Sequence, residues 1–410
     1  MKAFSDIFNR LPESVQKSLG TAITELNLTE SQKLEAAKEE ADLVQWMERS
    51  YAESADIGKL LRRKDGRGRD EYMNGLRAHM GKLRSEETDY SGFFPERKTK
   101  AKAKTVVEDK PLVLGRCPCP VDGEKTRCCK LTTLDAAMQC AFGCAYCSVQ
   151  AFYNENQIMI AGNIGKRLDE LEIPEGVWHI GTGQASDSLL LGDDYGTLSG
   201  LSAFAEKHDD IIIELKSKSK RDVFDHQYPR NMIFTWSLNA PTIIDREEHF
   251  TAALEERLRT ARKAADNNNL VGFHIHPMVY FRGWQDEYRE VVNQIEDLFS
   301  PDEVAMISIG TLTFTKAVLK RLREMGEESR VLEMELVKTA GKYSYPLEKK
   351  KEMFSHVYSS FSDEWQRNVF FYLCMEDPSL WQPVLGREYP CDREFEEDMK
   401  RHYFEKARLK

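Results

Sequence analysis

From residue 109 onward, short apolar runs alternate with amphipathic stretches, and few folds accept that alternation. The runs are Val177–Gly181, Ile211–Leu215, Met232–Ser237, Gly272–Pro277, Val304–Ile309 and Val369–Leu373. Each is a continuous hydrophobic string, as expected of strands covered on both faces. Between them lie helical stretches such as Ala252–Ala265, Tyr288–Leu298 and Thr315–Met325, which predicts parallel strands joined by helical crossovers. The economical closure is a full or partial (β/α) barrel, with functional side chains at the C-terminal ends of its strands.

The first hundred residues read instead as helical. Thr29 with Gln32 makes a capping box, and Leu34, Ala37, Ala41, Val44 and Met47 follow at helical spacing as one face. Between Asp56 and Lys104 there are 14 Lys/Arg and 8 Asp/Glu, a local balance of +6 in a chain whose net charge is -10. Arg62-Arg63-Lys64 and the run Arg97–Lys104 carry most of it, as a solvated linker or as an arm that contacts phosphates. The acidic total argues against a nucleic-acid binder of the whole-surface kind. The expected division is an N-terminal helical domain with its basic linker over 1–108, the barrel over 109–326, and a helical C-terminal extension closing the barrel over 327–410. No apolar run approaches the ~20 residues of a membrane span, and the start has no signal-peptide core. A cytoplasmic protein with no membrane partner is expected, in which nine cysteines serve as ligands or reactive thiols, not disulfides.

Three of those cysteines stand in Cys140-Ala-Phe-Gly-Cys144-Ala-Tyr-Cys147, a C-x3-C-x2-C spacing. Gly143 permits the tight path that lets three thiolates converge on one soft-metal centre. Three ligands are one short of the usual set for a cubane cluster, so one iron is left open, and no fourth ligand follows at finger-like spacing to favour zinc. This spacing resembles the signature of the radical S-adenosylmethionine (SAM) superfamily. The resemblance implies a [4Fe–4S] cluster on Cys140, Cys144 and Cys147, SAM on the open iron, and reductive cleavage to a 5′-deoxyadenosyl radical. It also places Tyr146 against the adenine and makes the barrel the partial one of that superfamily.

Over roughly residues 130–350 the chain is similar to the spore photoproduct lyase family, whose founding member repairs a thymine dimer in DNA. The matching pieces, in order, are Cys140–Cys147, Ser186-Asp187, Lys218, Ser237-Leu238-Asn239, Leu254-Glu255-Glu256-Arg257, Pro277-Met278-Val279-Tyr280 with Trp284 and Tyr288, and Lys342-Tyr343-Ser344-Tyr345-Pro346. Gly181, Gly183 and Gln184 stand where these enzymes receive the SAM ammonium; Gln184 accepts a hydrogen bond without supplying negative charge. Ser186 and Asp187 are read as contacts to ribose or ammonium, or else as caps of the following helix. Lys218 is expected to pair with the SAM carboxylate, with Ser237 and Asn239 completing the pocket, whereas Lys216 and Lys220 read as surface charges. His274 and His276 share one strand face and read as structural or substrate-facing. Two departures stand out: Gly183-Gln184-Ala185 lacks the family's hydrogen-donating cysteine, and Ser148 replaces a tyrosine of its radical relay.

Cys374, late in the last apolar run, is the substitute hydrogen donor expected at the mouth, or else a core thiol. Cys117, Cys119, Cys128 and Cys129 suit a second iron–sulfur cluster or zinc, or are inert thiols or a redox pair. The expected function is a radical SAM enzyme acting on a nucleic acid, by DNA lesion repair or base modification, with an electron donor such as flavodoxin or ferredoxin. The alternative is modification of a peptide or small molecule.

Overall fold

The computed structural model describes residues 2–61, 67–96, 104–108, 112, 114–117, 125–149 and 157–408. Arg62-Arg63-Lys64, most of the run Arg97–Lys104, and Cys119 lie outside the described residues. The chain forms two compact units, one of residues 1–97, 280–282 and 316–335, the other of the remainder. No helix among the described residues is long and apolar enough to cross a membrane.

The first unit is helical. Glu13–Glu25, Glu30–Gln45 and Gly68–Ser85 pack Leu19, Ala22, Leu43, Trp46, Tyr72 and Leu76 into one core. The box at Thr29 forms: Thr29 N–H donates to Gln32 Oε1 at 2.9 Å, and Gln32 N–H to Thr29 Oγ1 at 3.4 Å. The buried face of that helix is rotated from the expected one. Ala36, Ala37, Glu40 and Leu43 are buried, while Met47 is exposed past the helix end at φ 57°. Arg84 (3.0 Å) and Arg323 (2.9 Å) meet on the buried Asp42, which gives that acid two cations in place of water.

The second unit is built on an eight-stranded sheet curled into a partial barrel. In spatial order the strands are Phe370–Leu373, Val304–Thr311, Leu270–Met278, Met232–Leu238, Ile212–Ser217, His179–Thr182, Thr132–Leu134 and Leu114–Arg116. The six apolar runs become six adjacent strands, every pair parallel; only the outermost pair, 114–116 with 132–134, is antiparallel. Ile213, Leu215, Phe234, Trp236, Phe273, Ile275, Ile307 and Ile309 are buried on one face and Ile212, Ile233 and Met306 on the other, so both sheet faces are covered. Each large apolar side chain so buried contributes about 1.5–3 kcal/mol.

A polar layer crosses this interior. Glu214 Oε2 lies 2.9 Å from His179 Nε2, and Oε1 lies 2.8 Å from His274 Nε2 and 3.5 Å from Lys216 Nζ. His274 Nδ1 reaches Ser308 Oγ at 2.6 Å. Burial would raise the Glu214 carboxyl, but Lys216 and the two histidines outweigh it and hold it well below the usual range. Lys216 is therefore not a surface charge as its sequence suggested. Two residues after Glu214, it shares the inward face of its strand, with only 23% of its side chain exposed. Lys220, by contrast, is exposed and pairs with Glu256 at 2.6 Å.

Candidate cofactor pocket

The loop carrying the three cysteines is anchored by backbone pairing. Gly143–Cys144 runs antiparallel to Glu248–His249, with Cys144 opposite Glu248, and Ala145 N–H donates to Glu247 O at 2.8 Å. Cys147 N–H donates to Cys144 O at 3.0 Å, which tightens the turn between two of the thiols. Burial pushes the Cys144 thiol up to about 12 and raises Cys140 further, and the three sulfurs feel one another. Lys218 and Arg257 both act at Cys144, Lys218 and Arg257 opposing the effect of burial. Among the described residues no three His, Cys, Asp or Glu side chains converge closely enough for one metal ion. A cube of iron and sulfide holds its thiolates at separate corners and so asks for wider spacing. Three soft donors on one anchored loop, with cations nearby to offset thiolate charge, fit that group.

Glu248 organises the rest of the pocket. It is fully buried, and its carboxylate receives the Tyr146 hydroxyl, Lys218 Nζ at 2.7 Å, Asn239 Nδ2 at 3.3 Å and Arg257 Nη2 at 2.6 Å. Lys218 Nζ also donates to Tyr146 Oη at 2.7 Å and lies 5.2 Å from its ring centre. Burial alone would raise the Glu248 pKa, yet Arg257 and Lys218 hold it far below the carboxylate range. Burial, and then the Glu248 charge, keep the Tyr146 hydroxyl protonated. Asn239 donates to Pro277 O at 3.0 Å and accepts from Tyr288 Oη at 2.6 Å, which fixes its amide. Arg257, with no exposed surface, also donates to Ser237 O at 2.7 Å and Ala252 O at 2.8 Å. The strand ends carrying Lys218, Ser237 and Asn239 are thus tied to the cysteine loop through one acid.

The loop Gly181–Asp187 closes the other side. Gly183 has φ 84°, and a Cβ there would stand 2.6 Å from Lys216 O, so both conformation and space require glycine. Ser186 Oγ donates to Gln139 O, next to Cys140. Asp187 accepts from Lys218 N–H at 2.6 Å, Ser217 Oγ at 2.9 Å and Leu189 N–H at 3.0 Å. It pins its loop to the next strand; the helix that follows begins only at Thr197. Gly183, Ser186, Asp187, Ala137 and Tyr195 line a small cleft beside the cysteine loop. His274 belongs to the buried polar layer, and Cys374 lies apart from the Glu248 group, at the end of the last strand. Glu248, the hub, was not legible in the sequence, because adjacent acids at a helix end show no pattern. Glu214 did leave a signal: an acid amid Ile-Ile-Ile and Leu cannot be buried unpaired.

Residues 203–373 match the family model described as spore photoproduct lyase. A spore photoproduct lyase of Clostridium acetobutylicum is 27% identical over 97 residues, covering 24% of this chain and 29% of that protein. The aligned region thus spans under a third of that relative's length. Two solved structures share the fold, both with TM-score 0.54. One, a spore photoproduct lyase complexed with dinucleoside spore photoproduct, is 18% identical and covers 75% of this chain and 94% of its own. The other, a double mutant with bound AdoMet and dinucleoside spore photoproduct, is 16% identical and covers 73% and 94%.

Proposed function

We propose that this chain, similar to spore photoproduct lyases in sequence and fold, is a radical SAM enzyme that acts on a nucleic acid. The observation that carries the reading is the single buried carboxylate of Glu248, which joins the three-cysteine loop to Tyr146, Lys218 and Asn239. Cys140, Cys144 and Cys147 would hold a [4Fe–4S] cluster, which with SAM supplies a 5′-deoxyadenosyl radical. The chain's own residues do the positioning. Lys218 offers an ammonium for the SAM carboxylate, Tyr146 a flat, protonated ring for adenine, and the Gly181–Gln184 backbone with Gln184, Ser186 and Asp187 acceptors for the SAM ammonium and ribose. Ser237 and Asn239 close the pocket, and Arg257 and Tyr288 keep Asn239 and Glu248 from turning. Burial of this group excludes water from a reactive primary carbon radical.

Two features support a nucleic-acid substrate: the structural relatives with a dinucleoside photoproduct, and the +6 balance of residues 56–104. A base within a duplex must first leave the stack. Cys374 is the proposed hydrogen-atom donor, since burial keeps its thiol protonated and its strand ends at the mouth. A second reading, modification of a peptide or small molecule, draws on Gly183-Gln184-Ala185 and Ser148, where the family's donor thiol and relay tyrosine are missing. A flavodoxin- or ferredoxin-class protein would supply the electron. Anaerobically reconstituted protein should release 5′-deoxyadenosine from SAM on reduction, and Cys144→Ala should abolish it. Binding to DNA or RNA should weaken steeply as salt rises; no detectable binding at low salt rejects the nucleic-acid reading.

A further inference from the structure

The Glu248 group holds one face of the cysteine loop, and a different set of residues holds the opposite face. In the antiparallel ladder Cys144 pairs with Glu248 and Gly143 with His249, so the two pairs look to opposite sides. Cys144 and Glu248 face the pocket, where Lys218 meets the carboxylate; Gly143 and His249 face away from it. Phe250 follows with φ 65°, a left-handed conformation that a bulky side chain rarely adopts. That turn carries its ring back onto the loop. A Cβ placed at Gly143 would stand 3.4 Å from Phe250 Cδ2, 3.5 Å from Cε2 and 3.2 Å from His249 Cβ, so the ring lies against the glycine that precedes Cys144. Phe250 nevertheless stays 43% exposed.

Strain of this kind persists only where neighbours over-determine it, and here the flanking residues are tied. Glu247 O accepts from Ala145 N–H at 2.8 Å, and Ala252 N–H donates to Lys218 O at 3.0 Å. Thr251 Oγ1 donates to Glu248 O at 2.8 Å and accepts from Arg257 Nη2 at 2.7 Å. A ring this exposed gains little from burial, so contact with the loop is what the conformation secures. Gly143 is the one residue between Cys140 and Cys147 with no side chain of its own to pack, and the ring covers that spot.

We propose that Phe250 is a positioning residue for the cluster ligands: its ring braces the outer face of the cysteine loop, so that Cys140, Cys144 and Cys147 keep one arrangement with or without metal. The proposal rests on the reading of that loop as the cluster site. Gly143 takes part by leaving room for His249 and the ring.

The test uses the full chain without metal, reduced and anaerobic, pulsed with iodoacetamide and mapped by mass spectrometry. Cys144 is buried and burial keeps its thiol protonated, so it reacts when its loop opens, and its alkylation rate reads that opening. Phe250→Asn accepts the left-handed conformation but lacks the ring, whereas Phe250→Tyr keeps the ring. In Phe250→Asn the alkylation of Cys144 should rise by about tenfold relative to Cys128, a buried thiol on another segment, and Phe250→Tyr should match wild type. An unchanged rate in Phe250→Asn, or a rise shared equally by Cys128, overturns the proposal. After anaerobic reconstitution with iron and sulfide, the visible absorbance should bleach in air several-fold faster for Phe250→Asn than for wild type or Phe250→Tyr; equal bleaching overturns it too. Wild-type protein that takes up no iron would count against the radical SAM reading and leave the alkylation result standing.

Discussion

Replacing Glu248 with Gln should destabilise the second unit by about 3–5 kcal/mol, the cost of leaving a buried charge without its partner. The structure indicates why the figure should be this large. The side chains of both Glu248 and Arg257 have no exposed surface, so water cannot take over from the lost carboxylate. Arg257 keeps Ser237 O, Ala252 O and Thr251 Oγ1, which satisfy its N–H groups and leave its charge unneutralised. Lys218, 2.7 Å from Glu248, loses its counter-ion too. An amide also brings N–H donors to a site that now faces four donors. Arg257→Met removes the opposing charge at similar length, so the double variant should recover much of the loss. The coupling should reach about 2–3 kcal/mol. Urea unfolding of both single variants and the double at pH 7, followed by circular dichroism, reads these differences. The reasoning fails if Glu248→Gln lies within about 1 kcal/mol of wild type, or if the single effects add within about 0.5 kcal/mol.

Acid should unfold the protein through the same groups. Glu214 and Glu248 are held below the ordinary carboxylate pKa, so the stability they contribute is present above about pH 4.3 and is lost as pH falls towards their folded values. The melting temperature should change little through these two groups from pH 7 to 5 and drop below that, less steeply in Glu248→Gln; an identical acid slope in the variant would contradict this. His276, pushed down to about 3 chiefly by burial, should stay neutral, giving no titration of its NMR ring signals between pH 5 and 8. Gly183→Ala forces φ 84° on a residue with a Cβ 2.6 Å from a backbone carbonyl. It should cost about 1–3 kcal/mol and weaken SAM binding, and calorimetry showing wild-type affinity and stability would refute the strain argument.

Much of the architecture was visible in local pattern. Strings such as Met232–Ser237 and Val304–Ile309 are too apolar to face water on either side, and helical spacing between them leaves a parallel sheet as the way to bury both. The helix after Thr29 was visible for the same local reason, its cap and its partner being three residues apart. Its buried face was not, because Asp42 turns inward only to meet Arg84 and Arg323. Lys216 was misjudged on similar grounds. Its charge suggested solvent, and only the curl of the sheet places it beside Glu214.

The chain alone determined the spacing of Cys140, Cys144 and Cys147 and the period of each strand and helix, since these depend on neighbours within one turn. The tertiary structure decided that Glu248 lies opposite Cys144, and that Lys218, Asn239 and Arg257 meet on its carboxylate. Those meetings join residues far apart along the chain, and only the pairing of strands and the need of each buried charge for a partner select them.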